Sequence, residues 1–134
     1  MNPKYPVYII SKGRADSRLT VKALERMDVP YHIVVEEQEY DDYARVIESG
    51  QILVLPQRFR DEYDTCTAEP TEQKGSGPAR NYCWEHSISN GASSHWILND
   101  NIRSFRRINR NGRYRFSSGT GFKIAEDFVD RYEN

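Results

Sequence analysis

The stretch Tyr5–Val35, YPVYIISKGRADSRLTVKALERMDVPYHIVV, decides the fold. Its first part, Tyr5 to Ser11, is an almost continuous apolar run rich in β-branched and aromatic residues, as expected of a strand buried on both faces. From Ser17 the apolar residues Leu19, Ala23, Leu24 and Met27 recur at helical spacing, with Asp16 or Ser17 able to cap the start and Pro30 acting as the stop. Tyr31 to Val35 is strand-like again. A strand, a helix and a strand in so short a span make a βαβ unit, and therefore a parallel pair.

The same alternation continues outward. Tyr40, Tyr43, Ala44 and Ile47 are spaced for a helix running to Gly50, and Ile52 to Leu55 form a third strand before Pro56. Gln57 to Gly77 reads as a long polar loop marked by Pro70, Gly75 and Gly77. Pro78 suits the first turn of a helix to about Ser89, ended by Asn90-Gly91, and Trp96-Ile97-Leu98 is a fourth strand that stops at Asn99-Asp100-Asn101. The resulting order, β-α-β-α-β-loop-α-β, predicts an α/β fold with a mainly parallel sheet covered on both faces. Beyond Arg103, Phe105 and Ile108 on one side and Tyr114 and Phe116 on the other flank Asn111-Gly112, a dipeptide suited to a type I′ turn, so an antiparallel hairpin is expected there. Phe122 to Tyr132 closes the chain as a helix.

The 134 residues fit a single domain, with 37% apolar and 29% charged residues and a mean hydropathy of -0.82: polar, yet too rich in Tyr, Phe, Val and Ile to be disordered. Nineteen Lys and Arg oppose twenty Asp and Glu, so there is no global field to attract nucleic acid and any polyanion contact is local. Cys66 and Cys83 fit neither a disulfide framework nor a zinc or redox motif, which suggests a reduced, cytoplasmic setting. No apolar run approaches the roughly 18 residues of a membrane span, and Met1-Asn2-Pro3-Lys4 does not begin a signal peptide. The expectation is a soluble protein with no membrane partner.

In open parallel sheets ligands sit outside the carboxyl ends of the strands. Three polar clusters fall there: Ser11-Lys12-Gly13-Arg14, Glu36-Glu37 and Asn99-Asp100-Asn101. Each alone reads as an ordinary solvated turn; their coincidence on one edge is the signal. A carboxylate such as Asp100, flanked by amides, can hold Mg²⁺ or Mn²⁺ against a diphosphate, and with equal weight it can cap an Asx turn. Lys12 and Arg14 suit phosphates, as does Arg80 near a helix start, although isolated cations are more often surface charges.

The runs Tyr8-Ile9-Ile10-Ser11-Lys12-Gly13-Arg14, Gly75-Ser76-Gly77-Pro78-Ala79-Arg80-Asn81 and Trp96-Ile97-Leu98-Asn99-Asp100-Asn101 resemble the GT-A glycosyltransferases, and most of all the TET-associated glycosyltransferase family of bacteriophages. The resemblance covers essentially the whole chain. It implies a Rossmann-like domain that binds a nucleotide-sugar and transfers the sugar to a hydroxyl, with hydroxymethylated pyrimidines of phage DNA as acceptor and the cytoplasm of a bacterial host as location. Ser11, Lys12 and Arg14 would then lie near the nucleotide, Glu36 near the base or ribose, Arg80 and Asn81 near the ribose-diphosphate, and Asp100 with Asn101 at Mg²⁺ or Mn²⁺. Two departures stand out. Asn99 occupies a place that such families usually give to an acid, and residues 1–134 make a single domain lacking most of the acceptor half, with Glu126 and Asp127 as late carboxylates that suit a solvated helix face better than catalysis.

The arginine-rich stretch Arg103 to Arg115, interleaved with Phe105 and Tyr114, suits a nucleic-acid backbone through Arg106, Arg107 and Arg110, and equally a solubilising hairpin face. His32, His86 and His95 are scattered and do not count as ligands, and Cys83 reads as a small core residue rather than a nucleophile. A non-catalytic nucleotide- or DNA-binding remnant and a nucleotidyltransferase are the alternative functions.

Overall fold

The computed structural model describes residues 2–62 and 76–132. Four strands, β1 (Val7–Ile10), β2 (His32–Val35), β3 (Ile52–Val54) and β4 (Trp96–Asn99), form one sheet in the order β3-β2-β1-β4, with every pair parallel. Helix α1 (Leu19–Arg26) connects β1 to β2, and the short α2 (Tyr40–Ala44) connects β2 to β3. After β3 come α3 (Gln57–Glu62) and α4 (Gly77–Ser89), and the chain then returns to β4 on the far side of β1. The strand order therefore reverses at β1, and the crevice between the carboxyl ends of β1 and β4 is the switch point where open α/β sheets hold ligands.

Both faces of the sheet are covered, as the unbroken apolar strands require. Alternate residues divide the core in two. Val7, Ile9, Ile33 and Val35 pack with Val21 and Leu24 of α1, Tyr43 of α2 and Phe122 of α5 (Thr120–Asp130), while Tyr8 and Val34 pack with Phe59 of α3 and with Ala79 and Cys83 of α4. Leu24 is fully buried, and burying such a side chain contributes about 1.5–3 kcal/mol. A separate two-stranded antiparallel sheet, β5 (Arg106–Asn109) and β6 (Gly112–Arg115), stands between β4 and α5 in the chain. Among the described residues, no helix is long and apolar enough to cross a membrane.

Several local expectations are corrected. The segment after Pro56 begins with a helix, α3, rather than loop, because Phe59 is buried against Tyr82 and Arg58 pairs with Glu85 at 2.6 Å; residues 63–75 of the expected loop lie outside the described residues. Neither Asp16 nor Ser17 caps α1. Its N-cap is Arg18, in the left-handed region at φ 44°, whose guanidinium reaches back to the Ala15 carbonyl. The second helix ends at Ala44 instead of reaching Gly50, and a 3-10 turn, Ser49–Gln51, leads into β3. In the hairpin, Asn109 pairs with Gly112, so Arg110-Asn111 form the turn; the positive φ falls on Gly112 alone, at 145°, and a type I′ turn at Asn111-Gly112 does not form.

Candidate functional site

Ser11 lies directly after β1 and extends the ladder through its N–H to the Val34 carbonyl at 3.1 Å. Its side chain is buried and lies 2.9 Å from Asp100 Oδ2 and 2.5 Å from the Tyr43 hydroxyl. An ionised carboxylate only accepts, so Ser11 donates to Asp100 and Tyr43 donates to Ser11. The Tyr43 oxygen also accepts the Arg14 N–H at 3.2 Å, and burial pushes the Tyr43 hydroxyl above its ordinary pKa, keeping it protonated as a donor. Asp100 uses its other oxygen, Oδ1, to hold Arg14 Nη1 at 3.2 Å. The turn carrying Asp100 is shaped by buried Thr20 of α1, which donates to the Asn99 carbonyl and accepts the Ile102 N–H at 2.9 Å.

The same edge holds a second set of charges. Gly13, at φ +67°, turns the chain after β1 and aims its N–H at Glu39 Oε1, 2.9 Å away. The other Glu39 oxygen is buried without a hydrogen-bond partner, and burial raises the pKa of this carboxyl. Glu36, just past β2, lies between Lys12 at 3.7 Å and Arg60 at 3.6 Å. A cleft of about 300 Å³ opens alongside, lined by Gly13, Ala15, Asp16, Glu39 and Tyr43 among others. Two of the carboxylates at this edge, Asp100 and Glu36, are thus each faced by a cation that retains access to solvent: side-chain exposure is 15% for Asp100 and 49% for its partner Arg14, 16% for Glu36 and 57% for Lys12.

The family model described as TET-Associated Glycosyltransferase matches residues 5–134. The chain belongs to the TET-associated glycosyltransferase family. Membership implies glycosyltransferase chemistry and agrees with the expected family. Neither a curated protein nor a solved structure matches the chain at a significant level.

In this TET-associated glycosyltransferase, the sequence-derived residues separate into groups. Ser11, Arg14 and Asp100 meet directly, and Lys12 meets Glu36 beside them. Arg80 sits exposed at the start of α4, with Nε donating to Ser76 Oγ at 3.2 Å, and Asn81 lines a groove with Arg58, Glu62 and Trp84. Among the described residues neither makes a hydrogen bond or ion pair to Ser11, Glu36 or Asp100. Asn101 is exposed beside Asp100, and Arg106, Arg107 and Arg110 belong to the hairpin, away from this cluster in the topology. Asp100 supplies one carboxylate and Asn101 one amide, and in this arrangement both Asp100 oxygens are engaged, Oδ2 by the Ser11 hydroxyl and Oδ1 by the Arg14 cation. Among the described residues no group of three or more His, Cys, Asp or Glu side chains could hold a metal.

Tyr43, Thr20, Glu39 and Arg60 join the site without having been expected there. Tyr43 carried a usable signal: a tyrosine at a core-facing helical position needs a partner for its hydroxyl, and the nearby strand end supplies one. Conversely, Cys83 is fully buried with its thiol pushed up to about 12 by burial, so it is core and not nucleophile. Glu126 is not on a solvated face; it is 3% exposed and accepts the N–H groups of Lys4 and Tyr5 at 2.7 and 2.9 Å and the Trp96 indole N–H at 2.9 Å.

The largest cleft described, about 870 Å³, lies at the opposite, amino end of β1 and β2. There the histidines prove to be neighbours. Tyr8 hydrogen-bonds His86 Nδ1 at 2.7 Å, stacks on His32 at 5.7 Å between ring centroids, and meets His95 edge-on at 5.8 Å. Burial lowers the pKa of His32, with His86 adding to the effect, and lowers that of His95. Size does not make this cleft the site of phosphate chemistry: Lys4 is the single Lys or Arg among its lining residues and is paired with Asp130 at 3.3 Å, whereas the carboxyl edge has three cations and the switch-point position.

Proposed function

We propose that this TET-associated glycosyltransferase binds a nucleotide-sugar at the carboxyl ends of β1, β2 and β4 in the manner of a Rossmann-like GT-A domain, and transfers the sugar to a hydroxyl on modified-base DNA. The observation that carries the reading is the Ser11–Asp100–Arg14 contact at the switch point. A diphosphate offers Arg14 more negative charge than Asp100 does, so the half-exposed guanidinium can exchange one anion for the other while Ser11 keeps Asp100 in place. Lys12 can leave Glu36 in the same way. These cations would neutralise the diphosphate as its bond to the anomeric carbon breaks and the acceptor hydroxyl attacks, with the gain coming from fixed charge and positioning. No step is routed through Mg²⁺ or Mn²⁺.

The test is a panel of nucleoside diphosphates and nucleotide-sugars assayed for thermal stabilisation with and without Mn²⁺. Binding at one hundred times the dissociation constant adds about 2.7 kcal/mol of stability. A shift that persists in chelator supports charge neutralisation by Arg14 and Lys12; a shift seen with Mn²⁺ alone restores the metal at Asp100; no shift with any nucleotide removes the reading. The lack of a second carboxylate beside Asp100 favours one alternative, a nucleotide-binding module without turnover, which would bind the donor but release no diphosphate in the presence of acceptor DNA.

A further inference from the structure

The root of the hairpin is tied to the core. Phe116 donates its N–H to the Phe105 carbonyl at 2.9 Å, and both rings pack against the core near Phe122. Beyond that root every described side chain of β5 and β6 is exposed. The ladder then sorts them, because directly opposed residues share a face and neighbours alternate. Arg106 pairs with Arg115 and Ile108 with Arg113, so these four share one face; Arg107 pairs with Tyr114 on the other.

The two faces differ in how far they satisfy themselves. On the second face the Arg107 guanidinium lies 5.9 Å from the Tyr114 ring centroid, within cation–π reach. On the first, Arg106 donates Nε to Ser104 Oγ at 3.0 Å, but it stands directly opposite Arg115, a like-charge pairing that is destabilising in an isolated hairpin that is marginal to begin with. No Asp or Glu occurs anywhere from Arg103 to Ala125 to relieve it. In the midst of these charges sits Ile108, 83% exposed and the most exposed large apolar side chain described. A positively charged ribbon with an apolar knob fits an anionic polymer that has an apolar interior, and a nucleic-acid duplex has both.

Resting on the DNA-acceptor reading above, we propose that the Arg106–Arg113–Arg115 face of the hairpin docks on the phosphates of duplex DNA with Ile108 entering the base stack as a wedge, and that Arg107 is not a contact. Apolar side chains inserted between base steps unstack them, and a base whose substituent is to be modified must leave the stack. The wedge would thus couple docking to exposure of the acceptor.

The experiment measures binding of the full chain to a fluorescent 20-base-pair DNA duplex carrying 2-aminopurine, at several salt concentrations, for the wild type, Arg106→Ala/Arg113→Ala/Arg115→Ala, Arg107→Ala and Ile108→Ala. The proposal expects the triple variant to lose affinity and to reduce the logarithmic salt slope by roughly 3, about one per phosphate contact. It expects Arg107→Ala to match the wild type, and Ile108→Ala to retain the slope while losing the rise in 2-aminopurine fluorescence that unstacking produces. Equal losses from Arg107→Ala and the triple variant would overturn the face assignment while leaving DNA as acceptor, and so would wild-type binding that neither variant changes. An unchanged fluorescence rise in Ile108→Ala would overturn the wedge. Absence of wild-type binding at low salt would overturn both the proposal and the DNA-acceptor reading.

Discussion

Asp100 and Glu126 are both well-shielded carboxylates at opposite ends of the same pair of strands, and they are satisfied in different ways. Glu126 accepts two backbone N–H groups from the segment leading into β1 and the indole N–H of Trp96 at the start of β4. Those donors are fixed by the fold, so Glu126 is tied to it. Asp100, at the carboxyl end, is held by a serine hydroxyl and by a guanidinium that is half exposed to solvent. The contrast separates two uses of a carboxylate. One satisfied by donors the fold fixes ties the structure together; one satisfied by a solvent-exposed cation is, in the proposed function, the one whose partner a ligand can take over.

The largest stability effect should come from breaking the structural carboxylate. Glu126→Ala leaves three donors short of an acceptor, and since each unsatisfied buried group costs about 1–3 kcal/mol, a loss of about 3 kcal/mol is expected where water reaches part of the site. Glu126→Gln, which keeps one acceptor oxygen, should lose about half of that. Urea unfolding checks both, and an unchanged midpoint for Glu126→Ala would show that the latch is dispensable. Next comes Tyr43→Phe, which removes the donor to Ser11 and the acceptor for the Arg14 N–H. A cost of about 1–2 kcal/mol is expected by urea unfolding, accompanied by weaker nucleotide binding; a stability loss with unchanged binding would mean that Tyr43 serves the fold alone.

The smallest effect concerns the amino-edge histidines. His32 and His95 have pKa values lowered by burial, so the unfolded chain binds more protons than the folded one below the ordinary histidine value of 6.5. Their contribution to stability is fully present above that pH and is lost as pH falls from it through the folded pKa values. His32→Gln should flatten this part of the stability–pH curve while leaving nucleotide binding at the other edge unchanged.

Much of this was legible in the sequence because the strands are continuous apolar runs and α1 has clear helical periodicity. The carboxyl-edge clusters came from that order, since parallel topology places strand ends together. What escaped was set by tertiary contacts. The six residues of α3 carry a single core side chain, Phe59, too little for a period to show, and their helix depends on contacts with α4. Glu126 looked like a solvated carboxylate because nothing local reveals that the chain entering β1 and the ring of Trp96 turn their N–H groups towards it. Likewise, His32, His86 and His95 meet only because β2, α4 and the approach to β4 converge around Tyr8 of β1.

The proposed passage of Arg14 from Asp100 to a bound diphosphate is open to calorimetric titration of a nucleoside diphosphate into the wild type and Arg14→Ala in the presence of chelator. A charge-assisted hydrogen bond contributes about 1.5–3 kcal/mol, so affinity at least roughly tenfold weaker is expected in Arg14→Ala, with an unchanged thermal midpoint for the unliganded protein. Equal affinity in the two proteins would contradict it, leaving the Arg14–Asp100 pair a surface ion pair with no part in binding.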